Sequence, residues 1–71
     1  MEILVFRTNI KNKKQVAKVS ELMYDLDDIL RWNVDLHDRD KVLRIETHQL
    51  SPRQVETLLN EAGYLCEELE D

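Results

Sequence analysis

Apolar and polar positions follow two different periods along this chain. Residues 3–8 read ILVFRT, which is apolar or β-branched for most of its length and predicts a first strand. The apolar positions that come next recur every three or four residues, as they do on the buried stripe of an amphipathic helix. They are Val16, Val19, Leu22, Met23, Leu26 and then Ile29 or Leu30.

The middle of the chain changes to a period of two. Three apolar side chains alternate with Asn33 and Asp35, which predicts a half-buried second strand with Trp32 in the core. Those three are Trp32, Val34 and Leu36. The polar segment 37–40, HDRD, predicts a hairpin turn without glycine, and residues 41–47 return as a third strand.

A second helix begins at Ser51-Pro52. Serine caps the helix, proline takes its first position, and Gln54 completes a capping box. Its apolar stripe consists of Val55, Leu58, Leu59 and Ala62. Gly63 supplies the left-handed residue that ends the helix, and residues 64–69 form a last strand.

The order β-α-β-β-α-β predicts an α+β, ferredoxin-like sandwich in a single domain over residues 1–71. Right-handed crossovers give a four-stranded antiparallel sheet of order 4-1-3-2 with both helices on one face. Val5, Val42 and Leu65 are expected on the open face, although the apolar run of the first strand leaves its facing open. We find no sequence repeat between the two halves.

Composition excludes several classes of function. The net charge of −5 argues against general nucleic-acid binding, which needs a continuous basic surface. No apolar run approaches the ~20 residues that cross a membrane. Cys66 is alone, so no internal disulfide forms and a reducing cytoplasm is expected. A chain with one glycine is not expected to form a Gly-rich phosphate-binding loop. No nucleophile–base set is suggested by the sequence, so enzymatic activity is not expected.

The distribution of charge is more informative than its sum. Lys13 and Lys14 begin the first helix and acids end it, and both choices oppose the helix dipole at ~0.3–1 kcal/mol per charge. The topology adds Arg39 and Lys41 to a basic end of the molecule. The acidic end gathers Asp25, Asp27, Asp28, Glu70 and Asp71. Either the basic end docks an acidic protein partner, or the chain tolerates these small costs.

Several segments in order resemble a heavy-metal-associated domain, the fold of copper chaperones and of the N-terminal modules of metal-pumping ATPases. The family's loop reads G-M-x-C-x-x-C, with apolar positions one and four residues after the second cysteine. Here residues 9–15 occupy that loop, and Val16 and Val19 follow at the family's spacing. VDL at residues 34–36 and EAGY at residues 61–64 resemble the family's second strand and second-helix exit.

The departures from the family concern its metal site. Asn12 and Gln15 stand where the resemblance places the two thiolates, while Ile10 replaces the methionine and Asn9 the glycine. Soft ions such as Cu(I) select thiolates, so the resemblance implies no metal cofactor at this loop. Asn12 and Gln15 instead predict a capping box that parallels the one on the second helix.

Three hypotheses remain open from the sequence. The first is a protein-binding or regulatory module without the metal site, whose partner-binding residues are Lys11, Asn12, Lys13, Lys14, Gln15 and Tyr64. The second is a metallochaperone-like carrier with non-cysteine ligands or a lone thiol, drawn from His37, Asp38, Asp40 and Cys66. The third is a small-ligand regulatory domain, which dimer formation would favour. The sequence leaves the oligomeric state undetermined.

Overall fold

Four antiparallel strands and two helices make up the computed structural model, which describes residues 1–69. The elements are β1 Glu2–Thr8, α1 Lys13–Met23, β2 Ile29–Asp35, β3 Val42–Thr47, α2 Pro52–Glu61 and β4 Cys66–Glu68. The strand order is β2-β3-β1-β4, with every neighbouring pair antiparallel. The predicted fold class and strand order are confirmed. Neither helix within residues 1–69 combines the length and apolar character that crossing a bilayer requires.

The core lies between one face of the sheet and the two helices. Leu4 and Phe6 of β1 point into it, and β1 pairs with β3 so that Phe6 faces Leu43. The other buried apolar residues of the elements are Val19, Met23, Ile45, Val55, Leu59 and Cys66. This alternation places Val5 and Val42 on the open face, as predicted.

The first helix is shorter than the apolar spacing predicts. It ends at Met23, and Ile29 and Leu30 belong to β2. Asp28 separates the two with a left-handed backbone (φ 75°), and its carboxylate accepts a hydrogen bond from the N–H of Gln49 at 2.5 Å. Leu26 lies in the turn after the helix and packs against the core from there. Its position therefore continues the helical spacing of apolar residues although it is not part of the helix.

The second helix follows the prediction closely, whereas the third and fourth strands are shorter than predicted. α2 has the full capping box on Ser51, and Gly63 takes the left-handed conformation with φ 95°. β3 begins one residue later than expected because Lys41 is itself left-handed (φ 47°). β4 spans three residues instead of six, although the N–H of Leu69 still bonds to the carbonyl of Val5.

Two buried threonines tie the strand ends to the loops. The hydroxyl of Thr8 donates to the carbonyl of Lys41 at 2.5 Å, and that of Thr47 donates to the carbonyl of Asp28 at 2.6 Å. Each oxygen also accepts an N–H from the loop after its own strand, from Ile10 and Leu50 respectively. Each threonine thus holds a left-handed residue that precedes a neighbouring strand, and it anchors the entry to a helix.

The two halves do repeat in sequence, contrary to the expectation above. The matching pairs are Leu4 and Leu43, Phe6 and Ile45, Thr8 and Thr47, Asn12 and Ser51, Gln15 and Gln54, and Val16 and Val55. All six pairs have the same offset. Val5 and Arg44 share that offset and pair directly with each other across β1 and β3, so an approximate two-fold axis passes between them. Several matches conserve a role rather than a residue type, which hides the repeat in the sequence.

Candidate functional site

The loops predicted to form the basic end come together at the exit of β1. The N–H of Thr8 donates to the carbonyl of Asp40 at 3.0 Å, which brings the β2–β3 hairpin to this loop. The side-chain oxygen of Asn9 accepts from the N–H of Leu65 at 2.9 Å, which brings the entry to β4 there as well. The structure therefore groups the first loop, the hairpin and the exit of α2 as the topology predicted.

The beginning of α1 is closed by the two amide side chains of the loop. The Oδ1 atom of Asn12 accepts from the N–H of Gln15 at 2.9 Å, as in the predicted box. The Oε1 atom of Gln15, however, accepts from the N–H of Lys11 at 2.7 Å and not from that of Asn12. The glutamine of α1 therefore accepts from the residue before the N-cap, whereas Gln54 of α2 accepts from the N–H of the N-cap residue itself.

These bonds occupy the oxygens that would be offered to a metal. Asn12 and Gln15 each use the amide oxygen to accept a backbone N–H of the loop. Neutral amide oxygens are hard ligands and do not select the soft ions that thiolates hold. Ile10, fully buried, anchors the same loop in the core. The loop is therefore organised as a rigid helix entry.

Three lysines surround this helix entry in exposed positions: Lys11, Lys13 and Lys14. The first turn of α1 contains no acidic residue. The ion pairs within residues 1–69 are Arg7–Glu67 at 2.7 Å and Arg31–Glu46 at 3.9 Å, and neither involves a lysine. The positive charge of these ammonium groups adds to that of the helix N-terminus, so this surface attracts anions.

The remaining predicted members of the basic end differ in how freely they can reach a partner. Arg39 is exposed at the hairpin, but the Nζ of Lys41 donates to the carbonyl of Leu36 at 2.7 Å and is drawn back onto the turn. Tyr64 is half-buried and packs against the core. Because Leu65 bonds to Asn9, Tyr64 lies beside the first loop and borders the lysine surface.

The acidic end lies at the other end of the sheet. Asp25, Asp27 and Asp28 are exposed in the turn that follows α1. Asp28 is engaged with the β3–α2 loop, where it accepts from the N–H of Gln49. Glu70 and Asp71, which were also expected here, lie outside the described residues. Aspartates are not confined to this end, however, because Asp38 and Asp40 lie in the hairpin beside the lysine surface.

Of the alternative ligands in the hairpin, the carboxylate of Asp38 is engaged in the turn, to which His37 and Asp40 contribute backbone N–H groups. Asp38 accepts from the N–H of Asp40 at 2.8 Å, and Asp35 accepts from the N–H of His37 at 3.0 Å. Within residues 1–69, no group of three or more His, Cys, Asp or Glu side chains is placed to hold a metal ion.

Cys66 is only 2% exposed. Burial, and then the nearby carboxylates of Glu56 and Glu67, raise the pKa of this thiol from 9.0 to about 12. The thiolate is the form that binds metals and attacks electrophiles. At neutral pH Cys66 is therefore a small protonated core residue.

Two residues that organise the site were not singled out from the sequence. Thr8 links the loop to the hairpin, and Asn9 links it to the entry of β4. Thr8 had a signal, since a threonine ending an apolar strand is well placed to bond with a following turn. Asn9 had none, because its partner is distant along the chain.

Comparison with known proteins identifies the fold. The N-terminal domain of ZntA, solved in its Zn(II) form, gives a TM-score of 0.80 at 17% identity over 96% of this chain and 92% of that one. The N-terminal domain of PacS from Synechocystis PCC6803 gives 0.81 at 10% identity, covering 99% and 100%. The CsoZ metallochaperone gives 0.75 at 14% identity, covering 97% of each chain.

These likenesses confirm the heavy-metal-associated fold that the sequence resembles, without the pair of cysteines of that family's loop. No protein-family model matches the sequence, and neither does any curated protein.

Proposed function

We propose that this chain is a single non-enzymatic, cytoplasmic domain of the heavy-metal-associated fold that binds a protein instead of a metal. Its docking surface is the basic end, and its partner presents carboxylates. The residues of this surface are Lys11, Asn12, Lys13, Lys14, Gln15 and Tyr64. The observation that carries the proposal is the exposed lysine cluster at a helix entry whose amide oxygens are already bonded.

The lysine cluster is unfavourable for the folded chain alone. Each cation in the first turn of a helix opposes the dipole, and no acid in that turn offsets Lys13 and Lys14. An acidic surface placed against them removes this cost and adds charge-assisted contacts. The geometry therefore favours a carboxylate-rich partner over an apolar one.

The alternative function, a metal carrier with non-cysteine ligands, draws less support. Asp38 is bonded within the hairpin turn, and the thiol of Cys66 is buried and protonated. The similar ZntA domain was solved in a Zn(II) form and CsoZ is a metallochaperone. The thiolate pair of the family's loop is replaced here by Asn12 and Gln15, so that similarity carries over the fold but not the ligands.

An amide NMR titration of the reduced protein tests both functions together. Cu(I), Zn(II) and a short poly-glutamate peptide are added in separate series. We expect the peptide to shift the amides of residues 11–15 and Tyr64, because these surround the lysine cluster. We expect the two metals to leave the loop and the His37 turn unchanged.

Two charge-reversal variants complete the test. Lys13→Glu/Lys14→Glu should abolish the peptide shifts while leaving the helix slightly more stable, since the new acids favour the dipole. Arg44→Glu/Arg53→Glu makes the same change in net charge at exposed positions outside α1 and should retain the shifts. Stoichiometric metal shifts in the loop or the hairpin would overturn the proposal, and so would peptide binding that survives the first reversal.

A further inference from the structure

The two edges of the sheet are protected very differently. The β4 edge spans only Cys66–Glu68 and carries two adjacent acids, which discourages pairing with another strand. The β2 edge spans seven residues, Ile29–Asp35, without proline or lysine. Its irregularity lies between Ile29 and Arg31, so residues 31–35 form a regular open edge. An edge of this kind is a template for another strand.

The helix-facing side of β2 is also incompletely covered. Trp32 and Val34 are half-buried, whereas their partners on β3, Ile45 and Leu43, are fully buried, and Leu36 just after the strand is half-buried as well. Tyr24 is 85% exposed and Leu30 is 53% exposed, and both line the cleft between the end of α1 and the start of β2. Apolar surface therefore accompanies the open edge along its length.

We propose that two copies of this chain pair through β2 and form a continuous eight-stranded sheet. The pairing is antiparallel and centred on Asn33, so that a two-fold axis passes between the two copies of this residue. Arg31 of each copy then lies opposite Asp35 of the other, and Trp32 lies opposite Val34. Because opposite residues share a face, all four helices remain on one side of the joined sheet.

Charge complementarity selects this register. If the two-fold axis passed through Trp32, Arg31 would lie opposite Asn33 of the other copy. If it passed through Val34, Arg31 would lie opposite His37. Neither of these registers forms the ion pairs with Asp35. Only the centre on Asn33 makes two opposite-charge pairs across the strands, which stabilise antiparallel pairing.

Both charges are free enough to form these pairs. The Arg31 side chain is 80% exposed and its Nε lies 3.9 Å from Glu46. Asp35 uses Oδ1 to accept the N–H groups of His37 and Asp38, which leaves its other carboxylate oxygen for a guanidinium.

This interface is independent of the proposed docking surface. The lysine cluster lies at the end of the sheet beyond β1, and β2 is the lateral edge, separated from β1 by β3. Loss of peptide binding in the lysine reversal therefore leaves the dimer intact, and loss of the dimer leaves peptide binding intact.

Sedimentation equilibrium of the reduced full chain over a concentration series tests the dimer. We expect the unmodified chain to dimerise reversibly, and Asn33→Lys to weaken association at least tenfold, because two lysines then face each other on the axis. Thr57→Lys adds the same charge on the exposed face of α2 and should leave association unchanged. Circular dichroism verifies that each variant is folded.

A mixing experiment tests the register itself. Arg31→Glu and Asp35→Arg each place like charges opposite one another in a homodimer, so each variant alone should be monomeric. Mixed together they place opposite charges at all four positions and should form a heterodimer. If Asp35→Arg disturbs the hairpin, the Asn33→Lys variant still tests whether the dimer forms through β2.

Three results would contradict the proposed dimer or its register. A chain that stays monomeric at millimolar concentration contradicts the proposal. Association that Asn33→Lys leaves unchanged shows that any dimer forms elsewhere on the molecule. If both charge variants fold but their mixture remains monomeric, the register centred on Asn33 is wrong.

Discussion

Cys66 shows how one residue can suggest chemistry that its surroundings suppress. In a fold whose solved representatives include a metallochaperone, a thiol invites a ligand role. Here the side chain closes the core at the start of β4, beside the carboxylates of Glu56 and Glu67. Burial and negative charge both disfavour the thiolate, so they act in the same direction.

The raised pKa of Cys66 gives a pH-dependent prediction. Alkylation of the native chain at pH 8 should be far slower than alkylation of the urea-unfolded chain, because only the unfolded thiol ionises near its ordinary pKa of 9.0. The unfolded state also loses this proton first as the pH rises from 9.0 towards about 12, so stability falls over that range. Urea titrations across these pH values measure the effect.

The control for that experiment is Cys66→Ala. It lacks the thiol and should lose less stability over the same range, although it is less stable throughout because it leaves a small cavity. Equal slopes for the two proteins would contradict the link between Cys66 and alkaline stability, and rapid native alkylation would contradict its burial.

At the scale of elements, the beginning of α1 is where this chain departs from the fold it shares. Asn12 and Gln15 accept backbone N–H groups at the positions where the resembling family carries thiolates. The strand, loop and helix around them remain in the family's order. The loop therefore has the backbone order of the resembling family, with two amide side chains in place of the thiolates that would face a soft ion.

Placing thiols at these two positions should create a soft-metal site. We expect Asn12→Cys/Gln15→Cys to bind about one equivalent of Cu(I) with an ultraviolet thiolate-to-metal band, since two thiolates at this spacing select soft ions. The variant should lose ~1 kcal/mol of stability, because the cap is removed. Asn12→Ser/Gln15→Ser retains a capping residue, supplies no thiol and should bind no copper. A double-cysteine variant without copper binding would limit the resemblance to the backbone fold.

The order of all six elements could be predicted from the sequence because each carries a local signal, such as the Ser51-Pro52 start and the Gly63 end of α2. The end of α1 could not be predicted from the sequence. The chain turns there because Asp28 takes a left-handed conformation, which its distant partners Thr47 and Gln49 stabilise. Within the site, the grouping of loop and hairpin followed from topology. The withdrawal of Lys41 onto Leu36 depended on turn geometry, which no pattern in the sequence encodes.

At the scale of the whole molecule, stability depends on one thin layer of side chains. A chain of this length has a free energy of unfolding of about 4–10 kcal/mol on average per-residue values. Phe6 is fully buried in the central strand β1, among the largest side chains of the core. The free energy lost to one large cavity there is therefore a large part of the total free energy of unfolding.

We expect Phe6→Ala to lose ~3–5 kcal/mol and to melt at a much lower temperature, because no second core can maintain the sheet. Phe6→Leu should remain folded with a lower melting temperature. Ile3→Ala is the matched control on the same strand, since Ile3 is 55% exposed and should lose little. Thermal unfolding followed by circular dichroism distinguishes the three, and a Phe6→Ala variant that melts no lower than Ile3→Ala would show that the core is more redundant than its burial indicates.

The repeated positions of the two halves separate what the fold requires from what it leaves free. Where the halves agree, as at Thr8 and Thr47, architecture accounts for the residue, since both copies perform the same local task. Where they differ, architecture accepts either choice: Lys13-Lys14 in one half stands against Pro52-Arg53 in the other. The molecule thus contains its own internal reference. Exposed residues that differ between the halves, as Lys13 and Lys14 do, are therefore the first ones whose explanation is to be sought outside the fold.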